Sequence, residues 1–248
     1  MQYSLYSLIL GPMVYLAVGV FLAGTAWRII RVLKRPAFAP TLAVYRPGPR
    51  RSPSRLPSWL LGAGDALMLP TVFRHNARLW LALMLFHVGL AALALGHLEL
   101  FAEIRALQAF PLGPHAVFLG KGLVGLTMLA CLLFFGARRL VSPTKDLSVP
   151  EDYLLLALLF LTVLFGSQLD WARAWFGYET MSVVDYRAWL QGLLALRPMA
   201  GMGGVTGAGH SFMLVAHVFL ANVLLMVFPF TKLMHAMFTF ALNAVRRG

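Results

Sequence analysis

Long apolar stretches are the feature that most restricts how this chain of 248 residues can fold. A helix needs about 20 apolar residues to cross a bilayer, and only helices and closed barrels satisfy their backbone hydrogen bonds there. Five stretches approach or exceed that length, and they lie near Tyr6–Trp27, Leu79–Leu98, Ala116–Ala137, Tyr153–Gln168 and Ser211–Phe230. The fourth is short and is expected to take length from Asp170–Trp175. We therefore predict an all-α membrane protein with five transmembrane helices.

The basic residues indicate how these helices are oriented and do not point to a polyanionic partner. The chain is 60% hydrophobic and 12% charged, with a net charge of +12. Segments 28–78, 138–145 and 232–248 contain sixteen Lys and Arg residues; the segments on the other side contain four, and Lys121 lies inside a span. Because cytoplasmic loops are enriched in Lys and Arg, we predict an outer N-terminus and a cytoplasmic C-terminus. Nucleic acid is not expected as a partner.

The first apolar stretch is expected to remain in the protein as an anchor. A secretory signal peptide places its basic residues ahead of the apolar core, whereas here they follow it. The single cysteine, Cys131, lies within a predicted span, so an intrachain disulfide is excluded.

Two segments outside the spans stand out in what we predict to be a single domain, residues 1–248. The cytoplasmic basic loop, 28–78, is rich in Pro, Ser and Arg and is either a solvated linker or a docking surface for a partner. Its apolar run Trp59–Leu69 is expected along the membrane surface.

The outer segment, 171–209, carries apolar residues at helical spacing and predicts a short amphipathic helix in the outer interface, followed by a flexible glycine-rich connector at 199–209. An aromatic belt is expected there, from Trp171, Trp175, Phe176, Tyr178 and Trp189.

Two of the predicted spans each carry a pair of histidines, which is costly in lipid and indicates a functional site. The second span contains His87 and His97, and the fifth runs on from His217 to His235. Four imidazoles on two helices are the number needed for two haem b groups, each iron held by one His from each helix. The second span runs outward and the fifth inward. Matching by depth therefore pairs His97 with His217 at the outer haem and His87 with His235 at the inner haem.

Ten residues leave His87 and His97 about a quarter-turn apart on the second span. Eighteen residues are five turns of a helix, so His217 and His235 are expected on one face, with a kink at Pro229. Gly89 and Gly96 would either give a macrocycle room or simply pack helices together. His210 is an alternative to His217 as the outer ligand, and His75 is expected on the surface of the inner loop.

Cationic and titratable groups near the two levels predict what surrounds the haems. Arg74, Arg78 and Lys232 are candidates for the propionates of the inner haem, and Arg105 or Arg197 for the outer one. Each is equally explained as a cation that extends to the membrane surface. Near the outer haem, a quinone site is predicted because quinol needs a proton acceptor and a hydrogen-bond donor. The candidate residues are Glu99, Glu103, His115, Lys121 and His210. The alternative interpretation is that they are ordinary residues of the membrane interface.

Several of these residues resemble the respiratory nitrate reductase gamma-subunit family of membrane cytochromes b, which includes subunits of sulfite-reduction-associated and heterodisulfide-reductase-like complexes. The shared motifs are Phe86–Gly89, Gly96–His97, His217, Phe228–His235 and Arg138–Pro143, together with the spacings of ten and eighteen residues. The ending Lys232–His235 is more similar to the sulfite-reduction-associated branch. The long basic loop and the outer amphipathic segment differ from both branches.

The resemblance implies a dihaem subunit that exchanges electrons with menaquinone or ubiquinone in the prokaryotic cytoplasmic (inner) membrane. Its implied partner is a cytoplasmic iron–sulfur or molybdenum subunit, docked near Lys232, Arg74 and Arg78. The chain itself has no CxxC cluster, Walker loop or Ser/His/Asp arrangement, so catalysis beyond quinone chemistry is assigned to other subunits. The alternative is a non-redox membrane protein, a transporter or assembly anchor, whose histidines relay protons or bind metal. The residues leave the direction of electron flow open.

Overall fold

The computed structural model describes residues 2–34, 58–104, 122–177, 183–198, 200–207 and 211–239. Within these ranges the chain is helical and contains no strand, which confirms the predicted all-α class. The helices are α1 (Gln2–Leu10), α2 (Pro12–Leu33), α3 (Ser58–Met68), α4 (Pro70–His75), α5 (Ala77–Glu99), α6 (Leu123–Arg139), α7 (Pro150–Phe176), α8 (Val183–Leu194), α9 (Met202–Gly207) and α10 (Ser211–Val227). Short 3₁₀ turns occur at Lys145–Leu147, Phe228–Phe230 and Lys232–Met234.

Among the described residues, four helical stretches are long and apolar enough to cross a membrane: Leu5–Val32, Ala77–Leu98, Pro150–Ala172 and Ser211–Phe230. They correspond to the first, second, fourth and fifth predicted spans, and α7 takes the expected extra length by continuing to Phe176. The predicted third span begins among residues outside the described ranges. The helix described there, α6, has 17 residues, which is about 25 Å of helix. A multi-pass membrane protein is therefore established, while the third of the five predicted spans and the orientation of the termini stay predictions.

The chain divides into two compact units. The first contains Met1–Val18 and Ala82–Leu224, and the second contains Gly19–Leu81 and Leu225–Gly248. The boundaries between them fall inside α2, α5 and α10. That residues 1–248 form a single domain stays a prediction.

The core of the first unit forms where α1, α8, α9 and α10 meet. Its buried side chains are Ile9, Leu10, Trp189, Leu193, Met202, Leu214 and Val215. Long-range hydrogen bonds to the backbone accompany this apolar contact: Trp189 Nε1 donates to the Leu10 carbonyl (3.1 Å), and the Tyr15 hydroxyl donates to the Leu193 carbonyl (2.7 Å). The outer segment therefore contains the predicted amphipathic helix, α8, and part of its apolar face lies in the protein core.

Two details of the outer segment differ from the sequence-based expectation. Trp189 is only 5% exposed, so it belongs to the core and not to an aromatic belt at the surface. The glycine-rich run 199–209 contains the helix α9, because the buried side chain of Met202 holds that turn against the core. Gly201 permits the turn, since its φ is +77° and a Cβ there would lie 2.8 Å from the Trp189 amide nitrogen.

Helices α6 and α7 form an antiparallel pair in the first unit, joined by an ordered turn. Arg139 at the end of α6 makes an ion pair with Asp152 at the start of α7 (3.0 Å). The same carboxylate accepts a hydrogen bond from the Val149 amide (3.1 Å), which caps the N-terminus of α7. The Tyr153 hydroxyl donates to the Arg139 carbonyl (2.7 Å). Near the start of α6, at the end away from this turn, Gly125 lacks a Cβ where Ser167 packs against it.

In the second unit, the chain after α10 does not continue as a kinked helix. A 3₁₀ turn follows Val227, Thr231 is extended (φ −116°, ψ 178°), and a second 3₁₀ turn precedes residues 235–239, which are helical. Pro229 lacks an amide hydrogen, so the helical ladder cannot pass through it. The kink expected at Pro229 is therefore a full break, and the five-turn count that placed His217 and His235 on one face does not apply across it.

Candidate functional site

The first unit brings together two of the four span histidines, His97 of α5 and His217 of α10. Their imidazole centroids are 6.2 Å apart, and the two ring planes are inclined by 26°. Both side chains are half-buried. These are the two residues that depth matching had paired at the outer level.

The hydrogen bonds of the two rings define which nitrogen is available as a ligand. Nδ1 of His97 lies 2.6 Å from the Leu93 carbonyl oxygen one turn earlier in α5, and Nδ1 of His217 lies 2.8 Å from the Thr162 carbonyl oxygen of α7. A carbonyl oxygen can only accept, so Nδ1 carries the hydrogen in each neutral ring. The lone pair is then on Nε2, as in histidines that bind a metal while their other nitrogen is held by the protein.

The distance between the ring centres is the distance expected when Nε2 of both rings binds one metal ion. Two metal–imidazole bonds of about 2 Å each, with roughly 1 Å from each nitrogen to its ring centre, sum to about 6 Å. Among the described residues, no cluster of three or more His, Cys, Asp or Glu side chains could hold a metal ion. Haem needs only two protein ligands, because the macrocycle supplies four nitrogens. The donor set of His97 and His217 therefore fits haem.

Helix α7 contributes two residues to this site that the sequence reasoning did not identify. The carbonyl of Thr162 holds His217, and Gly166, one turn further along α7, lies against the same ring. A Cβ on Gly166 would be 2.8 Å from Cε1 and 2.9 Å from Nδ1 of His217, closer than side chains tolerate. The available signal was a glycine in the interior of an apolar helix, which costs about 1 kcal/mol relative to alanine and needs a packing reason.

The other two histidines lie in different units, His87 in the first and His235 in the second. Both are exposed, and each has Nδ1 near a backbone carbonyl: Leu83 for His87 (2.7 Å) and Lys232 for His235 (2.9 Å). Their predicted pairing at an inner haem stays a prediction. The carbonyl contact alone does not identify a ligand, because the exposed His75 makes it with Thr71 (2.7 Å).

Gly89 and Gly96 were predicted either to make room for a macrocycle or to pack helices together. Gly89 is buried against α6, where a Cβ would be 2.7 Å from the sulfur of Met128. Its role is therefore helix packing, the alternative offered for it. Gly96, one residue before His97, is also buried.

The cations that were predicted to contact the haem propionates lie at the surface, as far as the structure describes them. Arg74, Arg78 and Lys232 are exposed and belong to the second unit, as does His235. Arg197 is exposed in the first unit, and Arg105 lies outside the described residues. The structure therefore leaves their assignment as a prediction.

The predicted quinone residues fall mostly outside the described part of the chain. His115, Lys121 and His210 are not described, and Glu99 is described only as a backbone position at the end of α5. Glu103 follows that helix and is exposed. A quinone site at this level stays a prediction.

This fold and site define a class of molecule. It is a multi-pass helical membrane protein in which two imidazoles lie as far apart as two ligands of one metal ion. Residues 70–248 match the family model described as the nitrate reductase gamma subunit, and the chain belongs to this family. The family consists of haem b cytochromes that take part in membrane electron transfer beside the catalytic subunits of an oxidoreductase. Among curated proteins, none matches the chain.

Proposed function

We propose that this chain is the membrane subunit that transfers electrons between the quinone pool and a cytoplasmic iron–sulfur or molybdenum subunit. The observation that carries the proposal is the His97–His217 pair, two imidazoles 6.2 Å apart in the first unit. Bound to them, haem b supplies one-electron transfer within the membrane. Membership of the nitrate reductase gamma-subunit family supports the same assignment.

The protein's own residues have distinct tasks in this proposal. His97 and His217 hold the outer haem, and the carbonyls that accept from their Nδ1 atoms keep Nε2 directed to the metal. His87 and His235 hold a second, inner haem by the same chemistry. The positive charges of Arg74, Arg78 and Lys232 offset the propionates of that inner group and lie where the cytoplasmic partner docks.

Menaquinone or ubiquinone is proposed to react at the outer level, beside the His97–His217 haem. A quinol gives up its hydroxyl protons with its electrons, so its site needs groups that accept and donate protons. Glu99, Glu103, His115, Lys121 and His210 are the titratable residues that the sequence collects near this level. Protons released there would appear outside, in the proposed orientation in the prokaryotic cytoplasmic membrane.

The experiment that tests the function is an absorption spectrum of the purified protein with a haem determination. We expect low-spin haem b, with about half of it lost in His97→Ala and in His217→Ala, because each substitution removes one ligand of the same group. His87→Ala and His235→Ala should remove the other half. A quinone-site inhibitor should then perturb the spectrum of the His97–His217 haem.

The matched control for these variants is His75→Ala. His75 has the same Nδ1 contact with a preceding carbonyl but lies outside the proposed spans, so its loss should leave the spectrum unchanged. A colourless wild-type protein would overturn the function and favour a proton-relay or metal-binding role. Loss of one and the same haem in His87→Ala and His217→Ala would overturn the pairing alone.

A further inference from the structure

The break between α10 and residues 235–239 is a defined structure in the second unit. Pro229 is fully buried, and the Phe228 carbonyl accepts from both the amide (3.3 Å) and the hydroxyl (3.2 Å) of Thr231. Because Thr231 is extended, the chain changes direction at this point. Where His235 comes to lie therefore depends on how the break is held.

Helix α2 packs directly against the break through a glycine. A Cβ on Gly24 would be 2.8 Å from Cβ and 2.9 Å from Cγ of Pro229, and 3.1 Å from the ring of Phe230. Three residues earlier on α2, the ring of Phe21 meets Phe228 edge to face at 5.5 Å. The close approach requires glycine, since any other side chain would push Pro229 away.

Helix α2 also supplies a hydrogen-bond donor to a carbonyl that the break leaves without its helical partner. In an uninterrupted helix the Pro229 carbonyl would accept from the amide four residues later. Here it accepts instead from Nε of Arg28, at 2.9 Å. Arg28 lies one turn after Gly24 on α2, so the steric and the polar contact act on the same residue of the break. A charged donor makes this hydrogen bond stronger than an ordinary one.

We propose that Gly24 and Arg28 of α2 are positioning residues that hold the break at Pro229 and thereby set the place of His235. The inference rests on the proposed function in one respect, the role of His235 as a haem ligand. Both residues precede the part of the chain that matches the family model, residues 70–248. The N-terminal span is thus more than a membrane anchor: it shapes the segment that carries one of the histidines.

The steric part of the proposal is tested with two alanine substitutions in the same helix. Gly24→Ala should displace Pro229 and shift the midpoint potential and spectrum of the haem that His235→Ala removes. Gly19→Ala is the matched control, since a Cβ there meets nothing within 4 Å. The potential of the His97–His217 haem should be unchanged in both variants. Equal effects of the two substitutions would overturn the proposal.

The polar part is tested by replacing Arg28 and following the break without reference to haem. In Arg28→Ala, hydrogen exchange of the amides in 231–239 should accelerate about tenfold, because the break loses a charged hydrogen bond. Arg28→Lys should restore part of the protection. Arg31→Ala removes the same charge one turn away, where Arg31 lies over the Trp27 ring, and should not accelerate exchange.

The two proposals fail in different ways. A colourless wild-type protein would refute the haem function, yet the exchange measurement would still decide whether α2 holds the break. Unchanged exchange in Arg28→Ala, with haem present and its potential unaltered in Gly24→Ala, would refute the positioning role alone.

Discussion

At the scale of single residues, the missing side chain of Gly166 matters as much as the imidazole that lies against it. An added Cβ would be 2.8 Å from the His217 ring, so Gly166→Ala should displace the ring and weaken its contact with Thr162. Disturbing a group that holds a metal ligand typically costs 10–100-fold in metal affinity. We therefore expect haem affinity at the His97–His217 site to fall by about 10-fold or more, measured by titrating haem into the apoprotein.

The same substitution at Gly136 of α6 is the control for this prediction. A Cβ at Gly136 meets nothing within 4 Å, and alanine is the better helix former, so Gly136→Ala should leave haem affinity intact. Unimpaired haem binding in Gly166→Ala would show that His217 does not depend on this close approach.

The site was only partly predictable at this scale. His97 and His217 could be paired because charge asymmetry ordered the spans and depth then matched the residues. Thr162 and Gly166 could not be assigned to the site, because the sequence does not show which face of α7 meets α10. The backbone carbonyl of Thr162 leaves no signature in the residue types, and the interior glycine indicates close packing without identifying the partner.

At the scale of elements, α8 offers a test of which of its apolar residues belong to the core. Leu193 is 5% exposed and packs in the core of the first unit, whereas its neighbour Leu194 is 68% exposed. Leu193→Ala should therefore lower the free energy of unfolding by about 2–5 kcal/mol, since it leaves a cavity. Leu194→Ala should change it by no more than about 0.5 kcal/mol. Denaturant unfolding in detergent measures both, and equal losses would contradict the packing of α8.

The sequence predicted helices correctly where the spacing of apolar residues determines them. It predicted less where contacts with another helix determine the structure. The residue spacing in α8 correctly indicated a helix, but it did not show that part of the apolar face packs in the core, because Ile9 and Leu10 are far away in sequence. Pro229 correctly marked an irregularity. That it becomes a full break depends on contacts with Gly24 and Arg28, which lie some 200 residues away.

At the scale of the whole molecule, the orientation in the membrane is predicted from charge alone. Length and hydropathy identify the spans, but the two faces of a bilayer are distinguished here only by sixteen Lys and Arg residues against four. Arg138 and Arg139 end α6 and Lys145 follows in the turn to α7, so this turn is predicted to be cytoplasmic. The segment after α7, which contains α8, is predicted to be outside.

Two exposed residues that flank α7 make this orientation testable. Leu147 is 80% exposed before α7 and Val184 is 67% exposed after it, and Pro150–Ala172 is long enough to cross the membrane between them. In a Cys131→Ser background, which removes the single native cysteine, a membrane-impermeant maleimide should label Val184→Cys in intact cells. It should label Leu147→Cys only in inside-out vesicles. Labelling of both from one side would show that α7 does not cross the membrane; the reverse pattern would keep the span and invert the orientation.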